Sequence, residues 1–272
     1  MNQAPSEGVQ ATINYVARGA VRPRYHANDV SRDVVPLAPR RMPIADARTF
    51  ARAPTLDCEG FALRAHRSRV RNFLHIDQHA DEHAAEIRAF LSEVSGADDV
   101  IVTGRPILRF SEKEALSGHL DNSRPARFAH VDMSDATASL FVARSSGERR
   151  LLRFCYFNVW RTFTGAPQDV PLALCDAGSV SPDDLIAADA IFDSPEQPEW
   201  SFEGIVVAHN PAHRWAWFPD MTRDEVIVFK THDSDPSRAH AVPHVAFDDP
   251  ACPPDAPARA SVEMRAVALW WA

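Results

Sequence analysis

Residues 151–160 read Leu151-Leu152-Arg153-Phe154-Cys155-Tyr156-Phe157-Asn158-Val159-Trp160, a run dominated by apolar and aromatic side chains. Such a run reads as a strand. Working outward, Val100-Ile101-Val102, Ile107-Leu108-Arg109-Phe110 and Ala138-Ser139-Leu140-Phe141-Val142 precede it. Pro171 to Cys175, Glu203 to Val207, His213 to Phe218, Glu225 to Phe229, His244 to Phe247 and Ala260 to Leu269 follow. All are short, strand-like and punctuated by Pro, Asp and Gly, with few helical patterns between them. That arrangement predicts a sandwich or an open barrel and argues against a parallel α/β sheet.

One helix is predicted, from about Asp77 to Val94, because Ala84, Ile87, Ala89, Phe90, Leu91 and Val94 recur at helical spacing and Gly96 follows. Residues 1–55 are expected to supply an N-terminal strand, at Ala11 to Val16, and an extended wrapping segment. The stretch from Ser179 to Trp200 is rich in Asp, Pro and Ala and is expected to be a loop that covers a site. The whole chain, 1–272, is expected to form a single domain.

Composition narrows the function. The chain carries 37 acidic and 29 basic residues for a formal charge of −8, which disfavours nucleic acid or an anionic membrane as partner and favours small molecules. Its N-terminus lacks a basic segment followed by an apolar run, and no stretch reaches the roughly 18 to 20 apolar residues of a membrane span. A cytoplasmic location is the expectation. Cys58, Cys155, Cys175 and Cys252 form no CxxC pair, so neither a zinc knuckle nor a disulfide framework is predicted. Cys155 and Cys175, inside strand-like runs, are expected to pack as small hydrophobes.

Two imidazoles and one carboxylate on a single face are a common way to hold ferrous iron with positions left open. In a strand, positions i and i+2 share a face, so His130 and Asp132 of His130-Val131-Asp132 can aim at one metal. A second such pair, His75-Ile76-Asp77 with His79 and His83 beyond it, is read instead as a helix start and a solvated helix face. The third ligand is either His232 or His244. In 2-oxoglutarate enzymes an Arg-x-Ser pair one strand beyond the distal histidine grips the far carboxylate of the co-substrate. Arg259-Ala260-Ser261 lies 15 positions after His244, enough for a strand and a turn, but 27 after His232. Arg265 is a rival anchor that could instead pair with Glu263 on the same strand face.

Taken in order, several segments resemble the hydroxylase/desaturase family of 2-oxoglutarate/Fe(II) oxygenases. They are Leu56-Asp57 with Gly60-Phe61, His130-Val131-Asp132, Phe157 to Arg161, Pro171 to Asp176, Trp217-Phe218-Pro219, Asp224-Glu225-Val226, Pro243 to Pro250 and Arg259 to Arg265. That family includes gibberellin desaturase-like and aspergillic-acid-cluster enzymes, chains related to the cephamycin methoxylase and an aziridine-forming amino-acid oxygenase. The resemblance implies a mainly β fold with flanking helices, the double-stranded β-helix or cupin-like jelly roll. It also implies Fe(II), 2-oxoglutarate and O₂, with hydroxylation, desaturation or cyclisation of a small natural product or amino acid and release of succinate and CO₂. It favours His244 as the distal ligand. Trp215-Ala216-Trp217 departs from the family pattern, so the substrate is not carried over.

Asn158 and Arg161 lie in so apolar a strand that they need partners if buried. At least one is expected to face the co-substrate or a substrate carboxylate, the alternative for Arg161 being an ion pair with Asp176. Two other readings stay open here: a cupin-like metal enzyme that does not use 2-oxoglutarate, and a non-catalytic barrel that binds small molecules. Oligomeric state is not legible.

Overall fold

The strand that opened the sequence reading lies at the centre of one of two facing sheets in the computed structural model, which describes residues 8–147, 149–194 and 196–272. In chain order the strands are β1 (Val9–Val16), β2 (Arg24–His26), β3 (Leu37–Asp46), β4 (Phe61–Ala65), β5 (Asp99–Val102), β6 (Ile107–Phe110) and β7 (His130–Val131). They continue as β8 (Leu151–Thr162), β9 (Leu172–Cys175), β10 (Leu185–Phe192), β11 (Trp200–Val207), β12 (Trp215–Trp217), β13 (Glu225–Asp233), β14 (His244–Ala246) and β15 (Ala260–Trp271). The α-helices are α1 (Ala80–Ser95) and α2 (Asp135–Ser146). None of the described helices is long and apolar enough to cross a membrane.

The smaller sheet runs β4-β13-β8-β15-β5, with β6 also paired to β15. Both faces of β8 are covered, which explains its nearly continuous apolar sequence. Odd-numbered Cys155, Phe157 and Val159 pack with Ile87 and Leu91 of α1 and with Met264 and Ala266 of β15 on the outer face. Even-numbered Tyr156, Asn158 and Trp160 therefore point between the sheets. The same alternation turns Arg259, Ser261, Glu263 and Arg265 inward. α1 ends at Gly96, whose φ of 64° is left-handed and whose N–H caps the Ser92 carbonyl.

The larger sheet runs β1-β3-β12-β9-β14-β7-β11-β10-β2. It curls far enough for the Asn14 carbonyl on β1 to accept from the Ala129 N–H beside β7, at 2.8 Å. The resulting fold-back buries Ile13, Tyr15, Ile44, Trp215, Trp217 and Val245 against one another. Two curled sheets facing each other in this way form a jelly roll, the double-stranded β-helix.

Several expectations are corrected. Ala138 to Val142 is helix, not strand: Ala138 and Val142, four apart, are buried, while Leu140, which a strand would turn the same way, is 54% exposed. Ser134 caps that helix, its hydroxyl accepting from the Thr137 N–H, a start signal inside an otherwise strand-like run. The expected covering loop is largely structure as well: Leu185–Phe192 pairs along its length with β11, its Ala-rich composition having hidden a strand. The N-terminal segment does more than wrap, since it contributes β1, β2 and β3 to the larger sheet. The predicted helix begins at Ala80, after a 3₁₀ stretch over Phe73–His79, and Asp77 is exposed and pairs with Arg105 at 3.0 Å. His83, expected on a solvated face, is buried edge-on against Phe73.

Candidate metal centre

β7 and β14 are neighbours, and His130 pairs directly with His244 across them. Both imidazoles turn into the space between the sheets, their ring centroids 4.2 Å apart. Each ring has its Nδ1 beside a backbone carbonyl two residues earlier, His130 at 2.9 Å from Phe128 O and His244 at 3.1 Å from Val242 O. A carbonyl only accepts, so Nδ1 carries the proton and Nε2 is left as a free lone pair.

Asp132 lies one residue beyond β7, in the bend that leads to α2. Its Oδ1 is 3.8 Å from His130 Nε2 and 3.9 Å from His244 Nε2, too long for hydrogen bonds. Three donor atoms thus converge without bonding one another, and all three side chains are buried. Two imidazoles that turn Nε2 toward one carboxylate are the donor set that suits a ferrous ion.

Asn158 Nδ2 donates to Asp132 Oδ2 at 2.6 Å, and Arg265 Nη2 donates to Oδ1 at 3.0 Å. Burial alone would raise the Asp132 carboxyl; Arg265, the two imidazoles and the Asn158 amide overcome it and hold the group well below the usual carboxylate range. Burial, followed by the neighbouring His244, pushes His130 down to about 3, so it remains neutral. Glu263 Oε1 holds Arg265 from its other side at 2.8 Å. Gly204 makes room for this corner: a Cβ there would meet the Tyr25 hydroxyl at 2.5 Å and the Asp132 carbonyl at 3.2 Å.

From the histidines a narrow cleft, about 20 Å³, leads between Trp160 and Leu172 to Arg259. Arg259 is buried; its Nε donates to Val170 O at 2.8 Å, and its Nη1 donates to the Ser261 hydroxyl. None of the ion pairs among the described residues involves it. Burial, and then Arg109, push its guanidinium down to about 9. On the other side the centre opens into a cavity of about 440 Å³ walled by Tyr25, Val35, Leu37, Phe128, Phe192 and Phe202.

The structure therefore brings His130, Asp132, His244, Arg259, Ser261 and Asn158 to one place, but not Arg161. One residue past inward-facing Trp160, Arg161 turns to the outer face, where it donates to the carbonyls of His66 at 3.1 Å and Arg223 at 3.4 Å and lies over Phe73. The suggested partner Asp176 pairs instead with Arg214 at 2.7 Å. Asn158 contacts Asp132. Arg265 forms the ion pairs read as its alternative role. His232 joins a different group, with Asp135 and His240. Arg109, which lines both the cleft and the cavity, was missed; its only sequence signal is a charge on an apolar strand.

Comparison with known proteins places these features in context. A family model described as "Oxidoreductase/YMDC permease-like domain" matches residues 9–269. The Fe(II)/2-oxoglutarate-dependent dioxygenase nvfI of Aspergillus novofumigatus is 29% identical over 188 residues, 68% of this chain and 65% of that protein. The hydroxylase/desaturase CTB9 of Cercospora beticola is 30% identical over 238 residues, 79% of this chain and 72% of that one. A solved structure of the iron and alpha-ketoglutarate-dependent endoperoxidase NvfI superposes with a TM-score of 0.79 at 22% identity, covering 97% of this chain and 98% of that one.

Proposed function

The chain belongs to the oxidoreductase/YMDC permease-like family and is an Fe(II)/2-oxoglutarate-dependent dioxygenase, and on that premise we propose that His130, Asp132 and His244 hold the iron while Arg259, with Ser261, receives the far carboxylate of 2-oxoglutarate. The observation that carries this reading is the convergence of two free Nε2 lone pairs on the Asp132 carboxylate, with both Nδ1 protons committed to backbone carbonyls. When bound, iron and 2-oxoglutarate supply reduction of O₂ coupled to loss of CO₂ from the co-substrate and to oxidation of a substrate C–H bond.

The protein's own part is positioning. Asn158 ties up Asp132 Oδ2 and so turns Oδ1 toward the imidazoles. Arg265, steadied by Glu263, keeps that carboxylate ionised. Arg259 is a buried cation without a carboxylate ion-pair partner among the described residues, and the distal end of a dicarboxylate supplies an anion through charge-assisted hydrogen bonds. The cavity beyond the histidines, with an apolar wall facing Arg109, Arg124 and Arg127, suits a small natural product. We infer that such a substrate is hydroxylated, desaturated or cyclised there, and that residues 1–272 act as one domain in the cytoplasm.

The test is an anaerobic titration of iron-loaded protein with 2-oxoglutarate, followed by the visible metal-to-ligand charge-transfer band. The band is expected in wild type and in His232→Ala and absent in His244→Ala. Arg259→Ala is expected to need about 10²-fold more 2-oxoglutarate, the loss of a charge-assisted pair. A band that survives His244→Ala would remove that residue from the iron.

A further inference from the structure

A second His–Asp–His group lies outside the centre described above. Asp135 is the first residue of α2, His232 is in β13 and His240 is in the connection from β13 to β14. We propose that Asp135, His232 and His240 form a second metal site, for an exchangeable divalent d-block cation of the zinc type.

His240 Nδ1 lies 2.8 Å from the Asp233 carbonyl, so it carries the proton and leaves Nε2 as a lone pair when the ring is neutral. That Nε2 is 2.7 Å from Asp135 Oδ1, itself an acceptor. Two acceptors at that distance repel unless a cation joins them, either a proton or a metal ion. The same Oδ1 lies 3.2 Å from His232 Nδ1, so two ring nitrogens meet at one oxygen.

The surroundings resemble the support that metal-binding histidines receive. His232 is stacked on Phe154, with ring centroids 4.9 Å apart at 20°. Asp233, whose carbonyl orients His240, is itself clamped by Arg153 at 2.6 Å and Lys230 at 2.7 Å. The Asp135 and His240 side chains are 75% and 44% exposed, so water can complete the coordination and the ion can exchange. Imidazole ligands suit zinc, which ranks above ferrous iron in affinity for such sites.

The placement also has a consequence. Asp135 follows Asp132 by three residues and His240 precedes His244 by four. Asp135 and His240 thus come from the two chain segments that supply the inner group, while His232 comes from β13. A cation at the outer group ties the start of α2 to the connection that delivers His244.

The test counts zinc bound after equilibrium dialysis of chain lacking a histidine tag in a micromolar zinc buffer. Wild type is expected to hold two equivalents, because zinc also enters the His130 centre. The Asp135→Asn/His240→Ala variant is expected to hold one, and so is Asp132→Ala/His244→Ala. In the latter variant zinc should raise the melting temperature, and adding Asp135→Asn and His240→Ala should abolish that rise. A single equivalent in wild type, or two in Asp135→Asn/His240→Ala, overturns the assignment and leaves the group as histidines hydrogen-bonded to a carboxylate.

Discussion

His130, Asp132 and His244 are the same residue types as Asp135, His232 and His240, and Asp135 and His240 lie close in sequence to Asp132 and His244, yet the two groups sit in different surroundings. In the inner group all three are buried and their donor atoms stay 3.8 to 3.9 Å apart. In the outer group they have closed to 2.7 and 3.2 Å, and one carboxylate is largely exposed. Strand pairing between β7 and β14 fixes the inner rings, and their committed Nδ1 protons prevent them from satisfying one another. The outer group can use protons from water as a substitute for a metal. Burial and second partners, more than residue type, separate an iron centre from an exchangeable site.

The largest expected difference concerns turnover. Asp132→Ala removes the only carboxylate of the inner group and should lower succinate release on the order of 10³-fold or more, about 4 kcal/mol in the barrier. Retention of near-wild-type turnover would erase the distinction between the groups. A smaller effect separates the two polar residues of β8. Asn158→Ala should weaken iron binding about 10- to 100-fold, since it orients Asp132. Arg161→Met should leave iron affinity alone while destabilising the fold by about 2–4 kcal/mol, through orphaned carbonyls. Denaturant unfolding beside an iron titration reads both, and a weakened iron site in Arg161→Met would contradict its placement on the outer face.

The smallest effect concerns protons. Burial is the main cause that lowers His130 from 6.5 to about 3 and His83 from 6.5 to about 4. Below pH 6.5 the unfolded chain binds protons that the folded chain refuses, so stability falls as pH falls through this window. At pH 5 the loss is about 2 kcal/mol for each ring. The metal-free protein should therefore melt lower at pH 5 than at pH 7, and His83→Leu should narrow that gap. An unchanged gap in His83→Leu would show that this ring already takes up its proton in the fold.

Several features were legible before any coordinates. The strand-rich pattern, the α1 helix with its Gly96 stop, and the His130-Val131-Asp132 and Arg259-Ala260-Ser261 spacings all depend on local periodicity, which survives folding intact. That same periodicity misread Ala138 to Val142, because so short a mostly apolar run fits a helix as well as a strand and only the Ser134 cap distinguishes them. It also passed over Leu185–Phe192, where small residues pair well only because β11 lies alongside.

By itself, the sequence determined which residues alternate, where the donors stand along each strand and that the family's ordered motifs are present. Tertiary structure decided which histidine meets His130, since the strand of His244 pairs with β7 while that of His232 pairs with β8 and β4 in the other sheet. It also decided that Asn158 serves Asp132 while Arg161, three residues on, serves the outer face. The reason is physical: parity along a strand is a local property, but which face is buried against what depends on the sheet that closes over it.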